Sequence, residues 1–175
     1  EIVPFDRELS VLAVRGKDGE TRFWPLAENV HRDGILRVSR APAVEAPQAA
    51  AEELAGRLLD ELGYVGVLAL ELFEVDGRLL ANEYAPRVHN TGHWTIDGAQ
   101  TSQFENHLRA ILGLPLGETA ARAQSVMVNL IGGVPALDEL VRLPGAHVHL
   151  YGKAPRPGRK VGHVTLVGSD EETVA

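Results

Sequence analysis

No cysteine occurs in this chain, which excludes a disulfide framework and any zinc site built on thiolates. A cysteine-free sequence fits a reducing compartment, and a cytoplasmic location is expected. No apolar run approaches the roughly 18 residues of a membrane span, and no charged-then-apolar segment opens the chain, so no membrane partner is expected. Basic residues are in the minority, 17 Lys and Arg against 24 Asp and Glu, for a net charge of -7. That balance disfavours a generic nucleic-acid surface, and no nucleic-acid partner is expected, although a local basic cluster can still hold one small anion. The G-x-S-x-G elbow, the Walker A segment and the G-x-G-x-x-G loop are also missing, so serine-hydrolase, P-loop and Rossmann readings have no support.

What is present is ordinary for a globular protein: 45% hydrophobic and 23% charged residues over 175 positions. The chain opens already alternating like a strand, without an initiator Met. It closes where Ser169 reads as an N-cap with Glu172 three residues on, and both ends suggest part of a longer polypeptide. Between them, strands over 8–15 and 21–26 read as a hairpin through Lys17-Asp18-Gly19. Residues 27–47 read as a polar, Pro-punctuated connector that is neither helix nor strand. A helix over 48–62 follows, with Leu54, Leu58, Leu59 and Leu62 on one face and Gly63 as its stop. Strands at 64–75 and 78–85 flank Asp76-Gly77. Ser102 and Glu105 form a capping box ahead of Phe104, Leu108, Ile111 and Leu112, and that second helix ends at Gly113. Strands at 125–131, 146–151 and 160–167 and a short helix at 136–142 complete an order without strict βαβ alternation, so the fold class is α+β.

Residues 82–95, NEYAPRVHNTGHWT, carry the densest chemistry, and Glu71 interrupts the apolar run YVGVLALELF just before the Asp76-Gly77 turn. A carboxylate in apolar surroundings is costly unless paired or bound to a cation, and two acids flanking one hairpin suggest a divalent metal. The loop length decides whether they meet. A strict two-residue loop pairs Val75 with Arg78, sets Glu71 opposite Asn82 and turns Glu83 to the other face. A three-residue loop pairs Val75 with Leu79 and sets Glu71 opposite Glu83, roughly 4.5–5.5 Å apart at Cβ, and this is the reading adopted. Oxygen ligands then favour magnesium or manganese over zinc. The competing reading leaves either Glu on a solvated sheet face.

A second cluster lies at 153–163, KAPRPGRKVGH, where Lys153, Arg156, Arg159 and Lys160 surround a rigid Pro-Gly turn. Arg and Lys together suit a phosphorylated small molecule, and the competing reading is an exposed basic loop. The cluster is taken as distant from the acid pair. His89 and His93 are four apart, yet Asn90-Thr91-Gly92 between them reads as turn, and no third ligand follows at zinc spacing. His147 and His149 share one strand face and read as partly buried, hydrogen-bonded histidines.

These residues resemble a family. EYAPRVHNTGHWT, continued by SQFENHLRAILGLPL, is similar to the C-terminal half of the ATP-grasp ligases, and more narrowly to their 5-(carboxyamino)imidazole ribonucleotide synthase branch. The likeness extends through FDRELSVLAVRGKDGETRFWPLAENVHRDGI, YVGVLALELF and RPGRKVGHVTL. A formyltransferase branch shares the Pro-Arg-x-His core, but HNTGHWT and GRKVGH favour the carboxyamino branch.

The resemblance implies a partial ATP-grasp fold, an antiparallel sheet flanked by helices over residues 1–122, followed by the start of a small, mostly β C-terminal domain over 123–175. It implies a ligase of purine biosynthesis in which ATP activates bicarbonate as carboxyphosphate, and carbon dioxide passes to the exocyclic amine of aminoimidazole ribonucleotide. Position by position, Glu71 and Glu83 match the magnesium ligands, with manganese as an alternative, and Asn82 lies beside them at the nucleotide phosphates. Glu8 matches the acid on the ATP ribose, Glu1, Ile2 and Val3 the end of the adenine hinge, and His31 a nucleotide-pocket histidine. Arg87, His89 and Asn90 face the transferring phosphoryl group and the imidazole. Lys153, Arg156, Arg159 and Lys160 take the substrate's ribose phosphate, and the assembly is a homodimer. The family's N-terminal domain and glycine-rich lid would precede Glu1, so this chain alone is expected to be inactive. A non-catalytic nucleotide-binding or scaffold module is the alternative, although retention of Glu71, Glu83 and Arg87 argues against a decayed site.

Overall fold

Two Asp-Gly pairs set the layout of the sheet. Asp33-Gly34 and Asp76-Gly77 each bring both residues to positive φ (54° and 69°, 49° and 72°), the backbone of a type I′ turn, and each closes a two-residue hairpin. The computed structural model describes residues 3–168, so Glu1, Ile2 and the helix start expected at Ser169 lie outside the described residues. Nine strands are found there: β1 (Arg7–Arg15), β2 (Thr21–Phe23), β3 (Ala27–Arg32), β4 (Ile35–Ala41), β5 (Gly66–Val75), β6 (Arg78–Ala85), β7 (Gln124–Ile131), β8 (Ala146–Leu150) and β9 (Lys160–Gly168). They form one antiparallel sheet in the order β6-β5-β1-β3-β4-β7-β9-β8, with β2 paired to β1 beside β3. Helices α1 (Gln48–Leu62), α2 (Thr95–Gly98), α3 (Gln103–Leu112) and α4 (Leu137–Leu140) are interspersed. The α+β class and the helix-flanked antiparallel sheet are as expected, and residues 27–47 are the main correction. That stretch holds β3 and β4, because Asp33-Gly34 is as good a hairpin turn as Asp76-Gly77.

β1 and β5 are buried on both faces, which is why their sequences are nearly continuous apolar runs. On one face Leu9, Val11, Ala13, Leu68, Leu70 and Leu72 pack beneath Ala51, Ala55 and Leu59 of α1. On the other, Leu12, Val14, Val67 and Ala69 pack with Trp24, Trp94 and Ala110 of α3. The buried stripe of α1 is centred on Ala51, Ala55 and Leu59, so of the leucine face expected Leu59 is buried, Leu54 and Leu58 pack at its flank, and Leu62 is exposed. Small alanines let the helix backbone approach the strands. On α3, Ser102 caps as expected, its hydroxyl accepting from the Glu105 N–H at 3.1 Å. Its apolar face is reversed, however. Phe104, Leu108, Ile111 and Leu112 are exposed while Gln103 and Asn106 are buried. Asn106 is satisfied there by both backbone groups of Gly117, at 3.0 and 2.7 Å, and a fully paired amide is tolerated in a core.

The acid hairpin combines features of both loop readings. The loop is the strict two-residue one, with Val75 opposite Arg78, so the three-residue loop is incorrect. A β-bulge then intervenes. Leu72 pairs with Ala81, Glu71 pairs with Glu83, and Asn82 is the extra residue. The ladder slips by one at the bulge, which brings Glu71 and Glu83 opposite each other by a route that loop length alone does not supply.

The turn geometry is testable. No atom would lie within 4 Å of a Cβ at Gly77, so Gly77→Ala introduces no clash and costs only the left-handed backbone (φ 72°), about 1–2 kcal/mol in urea unfolding of the purified protein. Unchanged stability would show that the turn is not type I′.

Candidate functional site

The burial pattern of β5 marks where the sheet opens. Gly66 to Leu70 are buried on both faces, and alternation with partly exposed residues begins at Glu71. On that face Glu8 and Ser10 of β1, Asn29 and His31 of β3, and Glu71 continue the rows occupied further along by Leu12, Val14 and Val67. A cleft of about 360 Å3 lies over them, lined by Glu8, Asn29, His31, Glu71, Asn82 and Glu83. Asn82 and Glu83, neighbours in sequence, line it together because the bulge suspends strict alternation. Asn29 is fixed by hydrogen bonds with Ser10 (3.0 Å) and Ser39 (2.7 Å). Glu8 contacts Nδ1 of His31, so these two expected nucleotide-pocket residues form one pair. Val3 is partly exposed ahead of β1.

Glu71 has 16% of its side chain exposed, and its pKa is raised, first by burial and then by the charges of Glu83 and Glu8, against lowering by His31 and Arg87. Nε2 of His89 lies 3.5 Å from it. Burial, followed by the positive charges of Arg87, His31 and Lys160, lowers the His89 pKa to about 4. The ring is therefore neutral near pH 7 and does not cancel the carboxylate. Arg87 is exposed and donates to the Val88 carbonyl at 3.0 Å, with its charge felt at both Glu71 and His89.

Asn90 carries the site onward, since its Oδ1 accepts from Nζ of Lys160. Lys160 and Lys153 lie 5.4 and 5.3 Å from the centroid of the Tyr151 ring. The pKa of Lys160 falls to about 8, through burial and then Lys153. Two or more of the four basic residues are expected to converge, and the structure brings these two to one ring. Arg156 is exposed, and Arg159 donates to the Ala154 carbonyl at 3.4 Å. The acid and basic clusters, expected to be distant, are separate but linked. His89 touches Glu71, and the adjacent Asn90 touches Lys160, so one short segment joins them.

Several residues here went unrecognised in the sequence. Tyr151 bonds Nδ1 of the buried His163 at 2.5 Å. The His163 ring stacks on His149 (centroids 4.5 Å apart) and meets His93 edge-on at 5.0 Å. Asp97 accepts from Nε2 of His149 at 2.8 Å and lies 3.6 Å from half-exposed His147. The shared strand face expected for His147 and His149 is thus turned toward α2. Alternation in AHVHLYG and KVGHV places these side chains on one face, but Asp97 comes from a distant helix that spacing does not reveal.

Two family models match the chain: the ATP-grasp domain over residues 1–104, and the phosphoribosylaminoimidazole carboxylase C-terminal domain over residues 125–175. An N5-carboxyaminoimidazole ribonucleotide synthase of Pseudomonas aeruginosa is 58% identical over 172 residues, 98% of this chain and 48% of the relative. The enzyme of that name in Escherichia coli is 54% identical over 170 residues, 96% of this chain and 48% of the relative. The crystal structure of N5-carboxyaminoimidazole ribonucleotide synthetase from Thermus thermophilus superposes with a TM-score of 0.97 at 62% identity, covering 99% of this chain and 49% of that one. The Aspergillus clavatus N5-carboxyaminoimidazole synthase, solved with ADP and 5-aminoimidazole ribonucleotide, gives 0.89 at 38% identity, covering 96% and 48%. The chain spans about half the length of these relatives.

The histidine cluster makes an acid-stability prediction. Burial, then the charges of His93, His149 and Lys160, lower the His163 pKa to about 3 from 6.5. The unfolded chain therefore binds this proton more readily, and the stability conferred by a neutral His163 is lost as pH falls from 6.5 toward 3. Between about pH 4 and 6 the wild type should lose stability more steeply with falling pH than His163→Phe, read from urea midpoints. Parallel slopes would contradict the neutral buried ring.

Proposed function

The chain belongs to the ATP-grasp family, and on that premise we propose that it forms the metal floor and substrate-facing wall of an N5-carboxyaminoimidazole ribonucleotide synthase. The observation that carries this reading is the register that sets Glu71 opposite Glu83, with Asn82 beside them and His89-Asn90 leading to Lys160. Residues 1–122 would end the ATP-grasp domain and 123–175 open the small C-terminal one, with β4 paired to β7 across that division.

The residues fit a divalent cation. Two carboxylates share one sheet face, burial and mutual repulsion raise the Glu71 pKa, and the nearest imidazole is neutral. Hard oxygen donors suit Mg2+, with Mn2+ as a substitute. Among the described residues no third His, Cys, Asp or Glu groups with them, which leaves the other positions to phosphate oxygens and water. Such an ion neutralises charge on the phosphates of ATP.

The chain's own groups divide the remaining work. Glu8, paired with His31, offers a carboxylate to the ribose hydroxyls, and Glu1, Ile2 and Val3 end the adenine hinge. Asn82 donates its amide to phosphate oxygens. Arg87 supplies a fixed positive charge beside the phosphoryl group passing from ATP to bicarbonate. The neutral His89 imidazole and the Asn90 amide face the imidazole substrate, whose exocyclic amine receives carbon dioxide. Lys153 and Lys160, spaced by Tyr151, hold the ribonucleotide phosphate, with Arg156 and Arg159 on the rim. Alignment and charge compensation of this kind are the main demands of phosphoryl transfer.

In the complete polypeptide, Glu83→Gln keeps shape and removes a charge the ion requires. We expect turnover of ATP with bicarbonate and aminoimidazole ribonucleotide to fall at least about a hundredfold while unfolding stays cooperative. Lys153→Ala should raise KM for the ribonucleotide roughly tenfold to a hundredfold and leave KM for ATP nearly unchanged. Near wild-type turnover in Glu83→Gln at saturating Mg2+ would refute the metal role. Wild-type protein that binds nucleotide without turnover would favour the non-catalytic module.

A further inference from the structure

Gln103 is fully buried in the first turn of α3, and its carboxamide is committed to a single residue. Oε1 accepts from the His89 N–H at 2.8 Å, and Nε2 donates to the His89 carbonyl at 2.7 Å. His89 is extended (φ -125°, ψ 157°), so the amide pairs with it as a neighbouring strand would. The Gln103 N–H donates to Oγ1 of Thr95 at 3.0 Å, and that hydroxyl donates to the Gly92 carbonyl at 2.6 Å. One network thus ties the start of α3 to both ends of the turn at 90–92. The turn is pressed against the amide without spare room, since a Cβ at Gly92 would sit 2.6 Å from Oε1 of Gln103 and 2.4 Å from Cδ1 of Leu12. His93 adds a second tether, its Nδ1 lying 3.0 Å from the carbonyls of both His89 and Asn90.

We propose that Gln103 is the positioning residue of this site, clamping the His89 backbone so that the imidazole meets Glu71 and the Asn90 amide meets Lys160. Its catalytic consequence rests on the proposed function; the clamp itself does not. Both backbone groups of His89 must be matched, which takes one donor and one acceptor on the same side-chain end. Asn is one methylene too short, and Met fills the space without bonding. Ionised Glu presents two acceptors and sets a charge against the His89 carbonyl, whereas protonated Glu again offers one donor and one acceptor. A carboxyl in this buried place should have a raised pKa and regain the clamp as pH falls.

The test uses the complete polypeptide and two variants, Gln103→Met and Gln103→Glu, with wild type in parallel to remove the titrations of Glu71, His89, His93 and Lys160. Two readouts are taken: hydrogen exchange of the His89 amide, and kcat with both KM values from about pH 8 down to about pH 6. In Gln103→Met the His89 amide should exchange at least about tenfold faster, and kcat should fall at least about tenfold at every pH with KM for ATP little changed. In Gln103→Glu the same deficit at the alkaline end should shrink toward wild type at the acid end, a rescue that a merely structural role would not produce. Unchanged His89 exchange or wild-type kcat in Gln103→Met, or a Gln103→Glu deficit that is constant with pH, would overturn the proposal. If the wild type itself shows no turnover, the functional reading fails, and the exchange data alone decide the clamp.

Discussion

Two carboxylates held opposite one another on a partly buried sheet face repel, and the rest of the site is arranged around that repulsion. Glu71 stands on the face that also carries the Trp94 core, at the first position where β5 ceases to be covered on both sides. Glu83 reaches the same cleft only because Asn82 is accommodated as an extra residue in β6. A neutral His89 relieves none of this charge. A cleft that concentrates negative charge in this way, offset at Glu71 by His31 and then Arg87, suits the cation proposed for it.

Opposite charge is kept close but separate. Lys153 and Lys160 lie at similar distances from one Tyr151 ring, whose hydroxyl is anchored on buried His163. The segment 87–90 spans the gap between acids and lysines, and its placement relies on the amide of Gln103 more than on any helix or strand of its own. Two contacts, His89 with Glu71 and Asn90 with Lys160, join the acidic half to the basic one.

Much of this was legible in the sequence, and the failures share a cause. Asp76-Gly77, the Ser102 N-cap, and the helix ending at Gly63 are local signals, and local geometry honours them. Of the motif NEYAPRVHN, Asn82 and Glu83 line the cleft, His89 lies beside Glu71, and Asn90 leads on to Lys160. β3 and β4 were missed because their charged and polar residues (Glu28, Asn29, His31, Arg40) obscure the alternation, although Asp33-Gly34 was a readable turn. The buried face of α3 was misassigned, and that of α1 read correctly only at Leu59 and its flanking leucines, because hydrophobicity alone was weighed. Ala51 and Ala55 gain burial through close approach, and Gln103 and Asn106 through paired amides. The bulge at Asn82 leaves no compositional trace, so the facing of Glu71 and Glu83 was reached through an incorrect loop.

The central claim is that these two carboxylates share one divalent ion. Anomalous diffraction from crystals of the complete polypeptide grown with Mn2+ and ADP tests it most directly. The account predicts a peak between the Glu71 and Glu83 side chains, within about 2.0–2.3 Å of an oxygen of each. A peak bound elsewhere, or a Glu83 carboxylate turned to the opposite face of the sheet, would contradict it.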